Sequence, residues 1–168
     1  MTFDEVEQIF RGQAAYWLPI SEISKNDNAP GDKPFCDIAT KAFAYDKYMQ
    51  KLFIKPPCSI DAISFKNSYV NFIEFKDAVL GELKGCPQKI SSKTKVMDNI
   101  RLKIAESLHY IQKVMLKGHF LKTHKIKSRF ILVYSEKKNR DAISYWHGQP
   151  AAKQSHKEML NNQILNLA

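Results

Sequence analysis

Cys58-Ser-Ile-Asp-Ala-Ile-Ser-Phe-Lys66 and Tyr69-Val-Asn-Phe-Ile-Glu-Phe-Lys76 flank the dipeptide Asn67-Ser68. Both runs are rich in β-branched and aromatic residues, and a two-residue polar break between them predicts a tight β-hairpin. With Asn67-Ser68 as the turn, Lys66 pairs with Tyr69. Asp61 then falls directly opposite Glu74, with Cβ atoms about 5 Å apart on one face. Lys76, two residues past Glu74, shares that face because side chains alternate along a strand. Nearer the turn the same face carries Ile63, Phe65, Val70 and Phe72. A different turn length would move Asp61 to the other face.

Three charges on otherwise apolar strands need a physical reason, since burying an unpaired charge is expensive. Two carboxylates this close repel unless a cation or proton lies between them. A hard divalent ion, Mg²⁺ or Mn²⁺, suits such oxygen ligands. Lys76 beside it would orient or deprotonate a water, or stabilise charge developing on a phosphate. Metal-assisted phosphodiester hydrolysis needs this arrangement. The alternative is an ion-pair cluster in which Lys76 neutralises one or both carboxylates.

Around the hairpin the chain alternates in type. Phe3, Val6, Ile9 and Phe10 predict a short helix over residues 3–11, ended by Gly12. Ala14 to Pro19 reads as an apolar connector with Trp17 as a packing residue, and residues 24–34 as a polar loop. Ile38, Ala42, Tyr45, Met49 and Leu52 predict a helix over about 35–53, stopped by Pro56-Pro57. After the hairpin, residues 81–94 read as a turn-rich basic excursion. Met97, Ile100, Ile104, Leu108, Ile111 and Met115 then line one face of a long helix, about 95–116, with Gly118 as its C-cap. Asn99, Lys103 and Ser107 make a polar stripe beside that face. A basic loop over 117–127 leads to Arg129-Phe-Ile-Leu-Val-Tyr134, a continuous apolar run typical of a buried strand. A charged turn over 135–140 and a terminal helix over 152–166 complete the chain. The fold class is therefore α/β, a small mixed sheet with a crossover helix and extra terminal helices, in one domain of 168 residues.

Composition narrows the partners. Residues 1–50 carry 8 acids and 5 bases, whereas 51–168 carry 9 acids and 21 bases. A basic body suits a polyanionic partner. Most of the bases are lysines, which favours loose phosphate contact over bidentate base reading. Three cysteines, widely spaced, show neither a metal-ligand pattern nor a disulfide framework. Five histidines show no zinc spacing. No apolar run nears the roughly 20 residues of a membrane span, and the acidic start lacks a signal-peptide pattern. A cytoplasmic protein with no membrane partner is expected.

At Pro57, Asp61 and Glu74-Phe75-Lys76 the sequence resembles the PD-(D/E)xK nuclease superfamily, the restriction-endonuclease-like fold, including small bacterial members with an Ile-Glu-Phe-Lys strand. The literal Pro-Asp pair is absent, because Pro57 and Asp61 are not adjacent. The resemblance implies a helix–strands–helix–strand core over about 35–134. It also implies Asp61 and Glu74 as ligands to Mg²⁺ or Mn²⁺, and Lys76 as the catalytic lysine. An added acid from the first core helix, Asp37 or Asp46, belongs to the same pattern. Lys103 and Arg101 on the long helix would contact nucleic acid. Two functions follow: a metal-dependent nuclease acting on DNA, or a catalytically inactive protein of the same fold. The inactive form would bind nucleic acid or a protein partner, and either form could pair as a homodimer.

Overall fold

A computed structural model describes residues 1–25, 34, 36–76, 90–119, 121 and 125–134; the side chains at 76, 90–98 and 134 fall outside it. The excursion over 81–94 lies outside the described residues up to Ile90, and the turn over 135–140 and the helix over 152–166 lie wholly outside them. So does most of the polar loop over 24–34, leaving an isolated antiparallel bridge between Lys25 and Pro34.

The hairpin forms in the expected register. Strands β3 (Ala62–Lys66) and β4 (Tyr69–Lys76) pair antiparallel, with Lys66 opposite Tyr69 and Ala62 opposite Ile73. Asn67 and Ser68 both take positive φ, 54° and 61°, as a type I′ turn requires. On the other side of β4 runs β5 (Lys127–Tyr134), parallel to it and paired along its whole length. A parallel neighbour requires a crossover, which contains α4 (Ile90–Tyr110). This helix ends in a π turn over Ile111–Met115. Gly118 (φ 88°) closes it, its N–H donating to the Gln112 carbonyl at 2.7 Å.

The helix expected over 35–53 is a correction. Residues Lys41–Phe43 are a strand, β2, and only Tyr45–Leu52 are helical, α3. Ile38, placed on the helical face by its spacing, is exposed, as is Leu52. Ala42 and Phe43 are buried because β2 pairs with β3 at Phe43–Ile63. The apolar connector is likewise partly a strand, β1 (Trp17–Pro19), antiparallel to β2. A four-residue helix, α2 (Ile20–Ile23), follows it. The described sheet has five strands in the order β1-β2-β3-β4-β5.

The sheet has two unlike faces. Ile63, Val70 and Phe72 pack into the main core with Val6 and Phe10 of α1 (Phe3–Arg11) and Ile100, Ile104 and Leu108 of α4. A capping box fixes the start of α1: Glu5 N–H donates to Thr2 Oγ1, and Thr2 N–H donates to Glu5 Oε2. Trp17 packs against this core and donates from its indole N–H to the Phe10 carbonyl at 3.0 Å. On the second face Ala42, Ala62 and Ile73 form a smaller cluster with Ile20 and Ile23 of α2. Among the described residues no helix is long and apolar enough to cross a membrane.

Candidate functional site

The hairpin register carries Asp61 to the place facing Glu74. Asp61 sits one residue before β3, and its Oδ2 accepts the Phe75 backbone N–H at 2.6 Å. That bond ties the residue entering β3 to the backbone of the residue that follows Glu74. Glu74 is fully buried, projecting from β4 into the main-core side.

Among the described residues, the cation that meets both comes from a different element than strand alternation suggests. Lys103 of α4 donates from Nζ to Glu74 Oε1 at 2.8 Å and lies 3.6 Å from Asp61 Oδ1. Lys76 occupies its expected backbone place in β4, paired with Tyr134, and its side chain lies outside the described residues. Lys103 was expected only as a nucleic-acid contact; its described partners are the two carboxylates. Arg101, expected beside it, is half-buried on the same helix.

Burial by itself would lower the Lys103 pKa. The charges of Asp61 and Glu74, the hydrogen bond from Glu74 and the more distant charge of Asp46 outweigh it, so the ammonium holds its proton more tightly than usual. Asp46 stands in the first turn of α3 and accepts from Ser59 Oγ and from Gln50 Nε2, the latter at 2.7 Å. Asp37, the other candidate acid, is exposed and outside any helix.

The polar stripe on α4 builds the rest of the site. Ser107 is buried and its Oγ accepts the Ile60 N–H at 3.0 Å. Glu106 Oε2 accepts the Cys58 N–H at 2.6 Å. Two α4 side chains thus hold the segment leading into Asp61, and a third meets Asp61 itself. From the other side, the Tyr45 N–H donates to the Asp61 carbonyl at 3.1 Å. The sequence signal for this was the four-residue spacing of Lys103 and Ser107, one turn apart and so on one face of the helix.

Two carboxylates from adjacent strands, converging on one cation, are a hard-oxygen donor set. Among the described residues no group of three His, Cys, Asp or Glu side chains is placed to hold a metal ion. Mg²⁺ commonly takes only one or two carboxylates and completes its shell with water and phosphate, so the pair fits in donor type and charge, provided Lys103 yields its place. Compared with family models, curated proteins and solved structures, the chain finds no match.

Proposed function

We propose that this is a Mg²⁺- or Mn²⁺-dependent nuclease acting on DNA phosphodiesters, built on a restriction-endonuclease-like core. The observation that carries the reading is the convergence of Asp61 and Glu74 on one cation position. Its outer side, at Asp61 and Lys103, keeps 23% and 19% of side-chain exposure, so the position is not sealed from solvent. Asp61 and Glu74 would hold the ion. When bound, such an ion supplies a water of lowered pKa and neutralises charge on the phosphate.

The remaining roles belong to the chain. Beside the two carboxylates Lys103 holds its proton, so there it is a positive charge and not a base. Its flexible four-carbon stem lets it move from the carboxylates towards a substrate phosphate. Glu106 and Ser107 keep the Cys58–Ile60 segment, and with it Asp61, against α4. Lys76, two positions past Glu74, takes the catalytic-lysine role by resemblance.

A second reading has its own observation. Lys103 already stands between the carboxylates, 2.8 Å from Glu74 and 3.6 Å from Asp61, as in an ion network of an inactive protein of this fold. Such a protein would bind nucleic acid or a protein partner. Calorimetric titration of Mg²⁺ and Mn²⁺, with cleavage assays on single- and double-stranded DNA and RNA, separates the two. The nuclease reading expects saturable metal binding that tightens in Lys103→Ala. It also expects cleavage that is lost with chelator and in folded Lys76→Ala. Absence of metal binding in both wild type and Lys103→Ala, with no cleavage, would establish the ion network instead.

A further inference from the structure

The second face of the sheet divides into two halves. Away from the turn, its rows are apolar: Ala62, Ile73 and Ile131, then Phe75 and Val133, in the region packed by α2. Next to the turn, the rows are Ser64, Asn71 and Arg129, then Lys66, Tyr69 and Lys127. Direct register pairing puts each row's side chains on one face. Lys66, Lys127 and Arg129 are exposed, and so is Lys125 just before β5.

Arg129 is held in place. Its Nε donates to Asn71 Oδ1 at 2.5 Å, and its guanidinium carbon lies 5.0 Å from the Tyr69 ring centroid. Asn71 is buried, with only 1% exposure, and its own Nδ2 is fixed by the Ser64 carbonyl and Ser64 Oγ at 3.1 and 3.2 Å. Lys127 Nζ lies 5.7 Å from the same ring. Among the described residues, no carboxylate lies within ion-pair distance of Lys66, Lys125, Lys127 or Arg129. A buried amide thus orients a guanidinium that no described acid pairs with, on a face whose register rows also carry Lys66 and Lys127.

We infer that this half-face, centred on Arg129, is a docking surface for the phosphate backbone of a nucleic acid. Planar guanidinium groups recognise phosphate through paired donors. With Nε engaged by Asn71, the two Nη groups remain for the phosphate. Tyr69 acts as a buttress that aligns Arg129 and Lys127 through its ring. The surface lies on the opposite sheet face from Glu74 and towards the other end of β4. It therefore needs neither a metal ion nor cleavage, and shares with the proposed nuclease only the class of partner.

Fluorescence anisotropy with a labelled 20-mer, single-stranded and as a duplex, tests this in chelator. Arg129→Ala and the triple change Lys66→Ala, Lys127→Ala, Arg129→Ala should weaken binding progressively, the triple by at least tenfold. Each lost phosphate contact should flatten the plot of log affinity against log salt by about 0.7 to 0.9. Arg129→Lys, which keeps the charge and loses the fork, should fall between wild type and Arg129→Ala. Lys51→Ala, an exposed lysine on α3, should leave binding unchanged while removing the same charge. Equal weakening by Lys51→Ala and Arg129→Ala would overturn the inference, as would no binding by the wild type. It would equally be overturned if polyglutamate or anionic phospholipid vesicles bound with the same dependence on Arg129. Because chelator is present throughout, failure of the metal site cannot produce failure here.

Discussion

Lys103 shows how a single side chain decides what a pair of carboxylates can be. Strand periodicity places Lys76 on the face of Asp61 and Glu74, and so offers it as the neutralising cation. Periodicity carries no information about what a helix packed on that face will contribute, and α4 brings Lys103 to 2.8 Å from Glu74. Removing it would leave a fully buried carboxylate beside a second one. Breaking a buried pair by deleting one partner costs roughly 3 kcal/mol or more. Lys103→Met is therefore expected to destabilise by about 3 kcal/mol in chelator, measured by urea unfolding. Adding Glu74→Gln to that variant should restore part of the loss, because the buried negative charge that Lys103 offsets goes with it. A loss within about 0.5 kcal/mol of zero, the range of ordinary surface substitutions, would show that Lys103 does not carry this neutralisation.

At the level of elements, the hairpin and α4 were legible and the stretch over 35–53 was not. The hairpin announces itself because its turn, its alternation and its register are all local. The helix α4 does so because Ile100, Ile104, Leu108, Ile111 and Met115 all face the core and all are buried. Over 35–53 the apolar spacing of Ile38, Ala42 and Tyr45 also fits a helix, yet Ala42 is buried as a strand residue between β1 and β3. A three-residue strand is too short to show its own period, so only its partners reveal it. Ser68 holds φ 61°, a conformation that glycine adopts without steric cost. Ser68→Gly creates the Asn-Gly turn favoured in two-residue hairpins and should raise stability by about 0.5 kcal/mol in urea unfolding, glycine's added chain entropy offsetting part of the relieved strain. Ser107→Ala strips the Ile60 N–H of its acceptor inside the core. It should cost about 1–3 kcal/mol and speed hydrogen exchange at the Ile60 amide. Unchanged exchange there would mean that α4 does not hold the segment entering Asp61.

For the whole molecule, the order of elements from the hairpin through α4 to β5 could be read from the chain, whereas β1, β2 and the two-sided character of the sheet could not. Which strands neighbour which is fixed by contacts distant in sequence, and so is the meeting of Tyr69 and Asn71 with Lys127 and Arg129. The same long-range packing sets how the protein responds to alkali. Tyr45 is fully buried, packed in the main core, and its hydroxyl donates to the Ser107 carbonyl at 3.2 Å. Burial, then the nearby Tyr48 and Tyr110 hydroxyls, raise its pKa well above the usual 10.0. Tyr48 is raised too, by burial and by Tyr16, and Lys103 is raised above 10.5 despite its burial, by Asp61 and Glu74. Each group keeps its proton longer folded than unfolded. The unfolded chain therefore loses protons first, and stability falls as pH rises. Below pH 10 the contribution is complete; above it, each group removes up to about 1.4 kcal/mol per pH unit until its folded pKa is reached. Urea unfolding from pH 7 to 11.5 should show a plateau and then a steepening decline. Tyr45→Phe should cost about 1 kcal/mol at pH 7 for the lost hydrogen bond, and its decline above pH 10 should be shallower by the slope of one proton. An identical alkaline slope in wild type and Tyr45→Phe would mean that the phenol does not stay protonated in the folded core.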